Sequence, residues 1–195
     1  MNRVRNRILF VALAVTLALV VGVTGASAAY AAIPIQAGPP SVTLYGTVVG
    51  FGGYEWYVIG HNGSGAVKES GTMTLLAKDR VFGNSIFGAN SNYEDSNLHT
   101  AMKGVYGGFP LAERGLIKPR SALSDIDGTA VYDHGVWPLS AGTEYGEVSS
   151  KKHDILIFKD AGGNPEPWWL RSPGDAIDAY GVNVDGLLDY FYVDD

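Results

Sequence analysis

No cysteine occurs anywhere in the 195-residue chain. That excludes a thiol nucleophile, a thiolate metal site and a disulfide framework, so the fold must be held by packing alone. Long apolar runs are scarce as well. The single one, residues 8–23, is shorter than the roughly 20 residues that a membrane-spanning helix needs. Positive charge is also thin: 14 basic residues stand against 20 acidic ones. Three of the 14 are Arg3, Arg5 and Arg7, and setting them aside leaves 11 against 20, a net charge of −9. An acidic surface repels phosphate backbones and anionic lipid heads, which excludes nucleic acid as a partner and leaves membrane contact only to the apolar N-terminal run. The four histidines, His61, His99, His134 and His153, are scattered, and none has a partner at metal-binding spacing. Asp125-Ile126-Asp127-Gly128 opens like a calcium loop, but no third aspartate or closing glutamate follows, so a polar turn is expected. No Gly-x-Ser-x-Gly motif is present. With no catalytic constellation, metal or cofactor signature, the chain is expected not to be an enzyme.

What is present begins with an export signal. Arg3, Arg5 and Arg7 precede the apolar run, and two small-x-small triplets follow it, Ala26-Ser27-Ala28 and Ala29-Tyr30-Ala31. This layout is that of a cleavable leader cut after Ala28 or Ala31. Residues 1–31 are therefore expected to be a signal peptide. Residues 32–41, with Pro34, Gly38, Pro39 and Pro40, are expected to form a tether. Residues 42–195 are expected to form a single domain with one core. The expected location is secreted or at the cell surface.

Within that domain, β-branched and aromatic runs at 42–51 and 54–59 flank Gly52-Gly53, a hairpin signal, and residues 73–77 form a third strand. Asp95 or Ser96 can cap a helix that places Leu98, Ala101, Met102 and Val105 on one face. Pro110 opens a second short helical segment with Leu111, Leu116 and Ile117, which Pro119 stops. Residues 121–148 read as loop-rich around Val136-Trp137-Pro138-Leu139. Strands return at Trp168-Trp169-Leu170, then at 179–184 and 187–193 on either side of Asp185-Gly186, a strong two-residue hairpin signal. Strands, two short helices, then strands again point to an α+β fold with an antiparallel sheet.

Several of these runs, taken in order, carry a family likeness. They are Phe51-Gly52-Gly53-Tyr54-Glu55-Trp56-Tyr57-Val58-Ile59, Thr74-Leu75-Leu76-Ala77, Tyr93-Glu94-Asp95-Ser96-Asn97-Leu98 and Phe109-Pro110-Leu111-Ala112-Glu113-Arg114-Gly115-Leu116-Ile117. Val136-Trp137-Pro138-Leu139-Ser140 and Trp168-Trp169-Leu170-Arg171-Ser172-Pro173-Gly174 complete the set. Over residues 45–193 the chain resembles an uncharacterised bacterial family, domain of unknown function 6273. That family is similar to the C-type-lectin-like fold shared by formylglycine-generating enzymes and the variable proteins of diversity-generating retroelements. The resemblance implies a C-type-lectin-like fold and a variable hairpin after the tryptophan-rich run. It also implies a Gly-Val-Arg-Pro-type closing strand that has no counterpart here, which would leave an aromatic strand as a bare edge. The oxidative chemistry of formylglycine-generating enzymes runs through cysteines and does not carry over.

The candidate binding residues lie in the C-terminal hairpin: Tyr180, Asp185, Asp189, Tyr190 and Tyr192. Tyrosine offers a large amphipathic contact area at low entropic cost. By the period-two rule Tyr190 and Tyr192 share one face while Phe191 points to the other. Trp56, Trp168, Trp169 and Arg171 are expected in the core, with Arg171 paired to an acidic residue such as Glu55. Asn164-Pro165-Glu166 is a weak echo of a lectin amide–carboxylate pair in reversed order. The expected function is exported recognition of a protein or glycan outside the cell. The alternatives are a structural cell-envelope module and, third, an extracellular enzyme. N-terminal sequencing of exported material should begin at Ala29 or Ala32. A membrane-held product that keeps Arg3 would overturn the leader reading.

Overall fold

The computed structural model describes residues 14–18, 44–61, 64–65, 72–79, 81, 85–118, 123–124, 130–131, 135–160 and 162–194. His134 and the Asp125–Gly128 run lie outside the described residues. In chain order the strands are β1 (Ala14–Ala18), β2 (Val48–Phe51), β3 (Tyr54–His61), β4 (Ser64–Gly65) and β5 (Thr72–Ala77). Helices α1 (Asn97–Gly108) and α2 (Leu111–Arg114) follow, then β6 (Leu123–Ser124), β7 (Ala130–Val131) and β8 (Val136–Trp137). Helix α3 (Thr143–Lys152) leads to β9 (Trp168–Pro173), β10 (Asp178–Val182) and β11 (Leu188–Tyr192). The fold is mixed α+β.

The larger sheet runs β2-β3-β5-β1-β8, with β4 on β3. A second sheet runs β11-β10-β9, and β6 pairs β7. Every named pair is antiparallel. Gly52 and Gly53, at φ 64° and 82°, supply the left-handed backbone that a two-residue hairpin between β2 and β3 demands. Strand β1 falls inside the run read from sequence as a leader. It lies between β5 and β8, with Val15 opposite both Leu75 and Val136.

Helix α1 starts where expected. Ser96 caps it by accepting from the His99 N–H at 2.9 Å, and Leu98 and Met102 are fully buried. Helix α2 makes barely one turn, so its apolar face does not continue. Ile117 is buried, but Leu111 is among the most exposed hydrophobic residues. The reading of 121–148 as loop is corrected at its end by α3, which carries two serines, a mid-helix glycine and only Tyr145 and Val148 as apolar anchors. Its local propensity is weak, and tertiary contacts hold it.

Those contacts centre on Glu144, Arg171 and the four tryptophans. All four indoles are fully buried, and each N–H donates. Trp56 donates to the Phe51 carbonyl at 2.7 Å, Trp137 to Glu144 Oε1 at 3.3 Å, Trp168 to the Leu156 carbonyl at 2.9 Å and Trp169 to the Ser85 carbonyl at 3.3 Å. The guanidinium of Arg171, 1% exposed, donates to Glu144 Oε2 at 2.5 Å and to the Pro138 carbonyl at 2.7 Å. Glu144 also accepts from the Ser140 N–H at 2.9 Å, and the Ser140 hydroxyl accepts from the Glu144 N–H at 3.2 Å. This reciprocal pair ties the segment before α3 to its first turn.

The expected partner of Arg171 was Glu55. Instead Glu55 is exposed and pairs with Lys78 at 2.5 Å. The strand that carries Glu55 lies in the other sheet, and α3 brings the Glu144 carboxylate to Arg171. Glu144→Ala strands a buried cation and should cost about 3–5 kcal/mol. Glu55→Ala breaks an exposed pair and should cost at most about 1 kcal/mol. Chemical denaturation of the two variants side by side measures the contrast.

Candidate functional site

Register decides what the C-terminal hairpin can present. Strand β10 meets β11 with Asp178 opposite Tyr192, Tyr180 opposite Tyr190 and Val182 opposite Leu188. Alternation then puts these six residues on one face, and Ala179, Gly181, Asp189 and Phe191 on the other. The second face is closed at its centre: Phe191 meets the buried Trp169 edge-on, with ring centroids 5.6 Å apart. The first face is covered only at one end. There Phe158 packs on Trp168 at 5.2 Å, and Val182 is buried.

At the other end the face is open. The rings of Tyr180 and Tyr190 lie 4.4 Å apart at 38°, with their hydroxyls 2.6 Å apart. Tyr190 and Tyr192 are 56% and 58% exposed. Tyr180, Tyr190 and Tyr192 thus form one aromatic surface. Strand β11 pairs only with β10 among the described residues. The two aspartates read with these tyrosines are not brought onto the same surface. Asp189 alternates to the opposite face, where it is exposed. Asp185 sits in the connecting turn, its carbonyl 3.1 Å from His153 Nε2. Period two separates Asp189 from the tyrosines, a consequence legible in the sequence.

The residue that sequence reading missed is Asp178, the cross-strand partner of Tyr192 and two positions before Tyr180. The same alternation could have found it. Partial burial, then the negative charge of Asp175, raise its pKa above the ordinary carboxylate value. The acidic character of the open face therefore comes from Asp178, with Asp175 near it. Asp175 itself holds the turn before β10, its Oδ1 accepting from the Ile177 and Asp178 N–H groups at 2.9 and 3.0 Å.

The hairpin is held firmly. Its connection is longer than the expected two residues, since Val182 pairs with Leu188 and 183–187 form the loop. Asn183 Oδ1 accepts from the Asp185 and Leu187 N–H groups at 2.9 and 3.0 Å. Helix α3 grips the tip: the Tyr145 hydroxyl donates to the Gly186 carbonyl at 3.0 Å. The Asp185 carbonyl can only accept, so His153 Nε2 carries the proton between them. Gly186 has φ 79°, and a Cβ there would meet His153 at 3.0 Å, so glycine is required on both counts.

Trp56, Trp168, Trp169 and Arg171 are all buried. Asn164 turns back on Asp160, donating to its Oδ2 at 3.1 Å. Among the described residues no group of three or more metal-ligating side chains converges, and no helix is long and apolar enough to cross a membrane. No family model, curated protein or solved structure matches the chain. The two faces predict opposite sensitivities. Phe191→Ser should destabilise the domain by about 2 kcal/mol through lost ring packing. Tyr190→Ser with Tyr192→Ser should cost about 1 kcal/mol or less, the scale of one cross-strand pair. Melting curves of the two variants decide it, and the reverse order would invert the face assignment.

Proposed function

We propose that this chain is an exported, C-type-lectin-like member of the domain of unknown function 6273 family, and that it binds rather than catalyses. Its recognition surface is the open face of the C-terminal hairpin, with Tyr180, Tyr190 and Tyr192 as the contact rings and Asp178 beside them. The ligand is a protein or glycan outside the cell, and no cofactor takes part. The observation that carries this reading is the close Tyr180–Tyr190 ring pair beside an exposed Tyr192, on a hairpin whose turn is clamped by α3. Exposed tyrosines on a rigid support lose little freedom on binding and so favour affinity. Asp185 and Asp189 are secondary in this reading, because neither lies on the tyrosine face.

The test is a glycan array and a pull-down from neighbouring cells, run with the exported protein and with its Tyr190→Ser, Tyr192→Ser double variant. Capture should fall at least about tenfold in the variant, equivalent to 1.4 kcal/mol, while the melting curve barely moves. Unchanged capture in a folded variant would remove the hairpin as the site. The envelope-module reading, in which the aromatic hairpin packs against a neighbouring subunit, would then take its place.

A further inference from the structure

Strand β1 occupies a place that bears on partners. It is an inner strand, antiparallel to β5 along five residues, Ala14 opposite Leu76 through Ala18 opposite Thr72. It is antiparallel to β8 at Ala14–Trp137 and Val15–Val136. Because each neighbour opposes β1, β5 and β8 run parallel to each other. They stand two strand spacings apart, about 10 Å. On the export reading, cleavage after Ala28 or Ala31 takes β1 away and bares both edges.

The flanking strands are not free to close the gap. Strand β5 is tied to β3 along its other edge. Strand β8 is held from behind, by the Trp137 N–H on Glu144 and by the Pro138 carbonyl on Arg171. With β1 in place, Thr74, Leu75, Leu76 and Ala77 of β5 and Val136 and Trp137 of β8 are at most 1% exposed. Taking β1 away bares two rows of ladder N–H and C=O groups, a template for an added strand. The chain's own tether cannot supply that strand: Pro34, Pro39 and Pro40 lack the N–H that an inner strand must donate. Among the described residues the other apolar strands are already paired, so a second copy would have to give one up.

We infer that β5 and β8 bound a strand-acceptor slot, filled by Ala14–Ala18 before processing and afterwards by an uncharged apolar strand of a different protein. The structure gives the chemistry of the occupant. The strand seated there reads Ala-Val-Thr-Leu-Ala, without charge. Main-chain ladder bonds supply affinity, and the apolar flanks set the preference for an apolar strand.

The full chain is tested against its Val15→Pro, Leu17→Pro variant, whose own strand cannot join the ladder. The probe is a peptide of residues 11–20 with lysines added at both ends for solubility. It should bind the variant at least about tenfold tighter than the unaltered chain, because there the tethered strand competes at millimolar effective concentration. A peptide carrying the same two prolines should not bind. Equal binding to both proteins, or none to a folded variant, overturns the slot. Should the variant not fold, amide hydrogen exchange on the unaltered chain decides. Amides of β5 and β8 should lose protection when signal peptidase cuts the chain and regain it when the peptide is added. Protection kept without peptide in a monomer means that the strands close on each other, and in a dimer that a second copy fills the gap; either overturns the inference. A chain that signal peptidase leaves uncut defeats the export reading on its own, while the proline variant still judges the slot.

Discussion

Arg171 and Glu144 are two opposite charges with almost no water around them, and withdrawing either ion from solvent costs several kcal/mol. The cost is offset only because each charge is satisfied from several directions. Arg171 donates to a carboxylate and to a main-chain carbonyl, and Glu144 accepts from Arg171, from Trp137 and from the Ser140 N–H. Those groups belong to β9, β8, the 138–141 segment and α3. One ion pair therefore sets where the second sheet, the end of the first and the third helix stand. The β-bulge in β9 is part of this device. Between Gly181–Trp169 and Ala179–Pro173 the register slips, and Arg171 lies within the slipped stretch.

What could be read from the chain follows from how local its cause is. The Gly52-Gly53 turn, the Ser96 cap and the tyrosine–phenylalanine alternation of β11 each depend on residues a few positions apart, and each is present. The burial of Trp168 and Trp169 follows from their size. Helix α3 was missed because Gly146, Ser149 and Ser150 make it a poor helix by itself, and its reason for forming lies 27 residues away, at Arg171. The partner of Arg171 was misassigned for the same reason: any of 20 acidic residues qualifies until the topology selects one. Asp185 and Asp189 were grouped with the tyrosines by proximity along the chain. A pleated strand separates neighbours onto opposite faces, and a turn residue belongs to neither.

The tyrosine face and the slot between β5 and β8 differ in kind. The face is finished: two of its rings lie against each other, its strands are paired and its turn is clamped, so its shape already exists. The slot is complete only with a strand in it, and the identity of that strand depends on whether the N-terminal segment stays. The ion pair links them, since Glu144 and Arg171 support both β8 and the sheet that carries the hairpin.

The clamp on the hairpin tip has a bearing on how this surface can diversify. Tyr145 of α3 and His153 just after it hold the turn through the carbonyls of Gly186 and Asp185, not through their side chains. A carbonyl is present whatever residue bears it. Val184, Asp185 and Leu187 can therefore change identity, along with Tyr190 and Tyr192, without loosening the grip. Gly186 and Asn183 are the exceptions, one for its backbone angle and the other for its side-chain oxygen. The hairpin can thus sample new sequences while the scaffold beneath it stays the same.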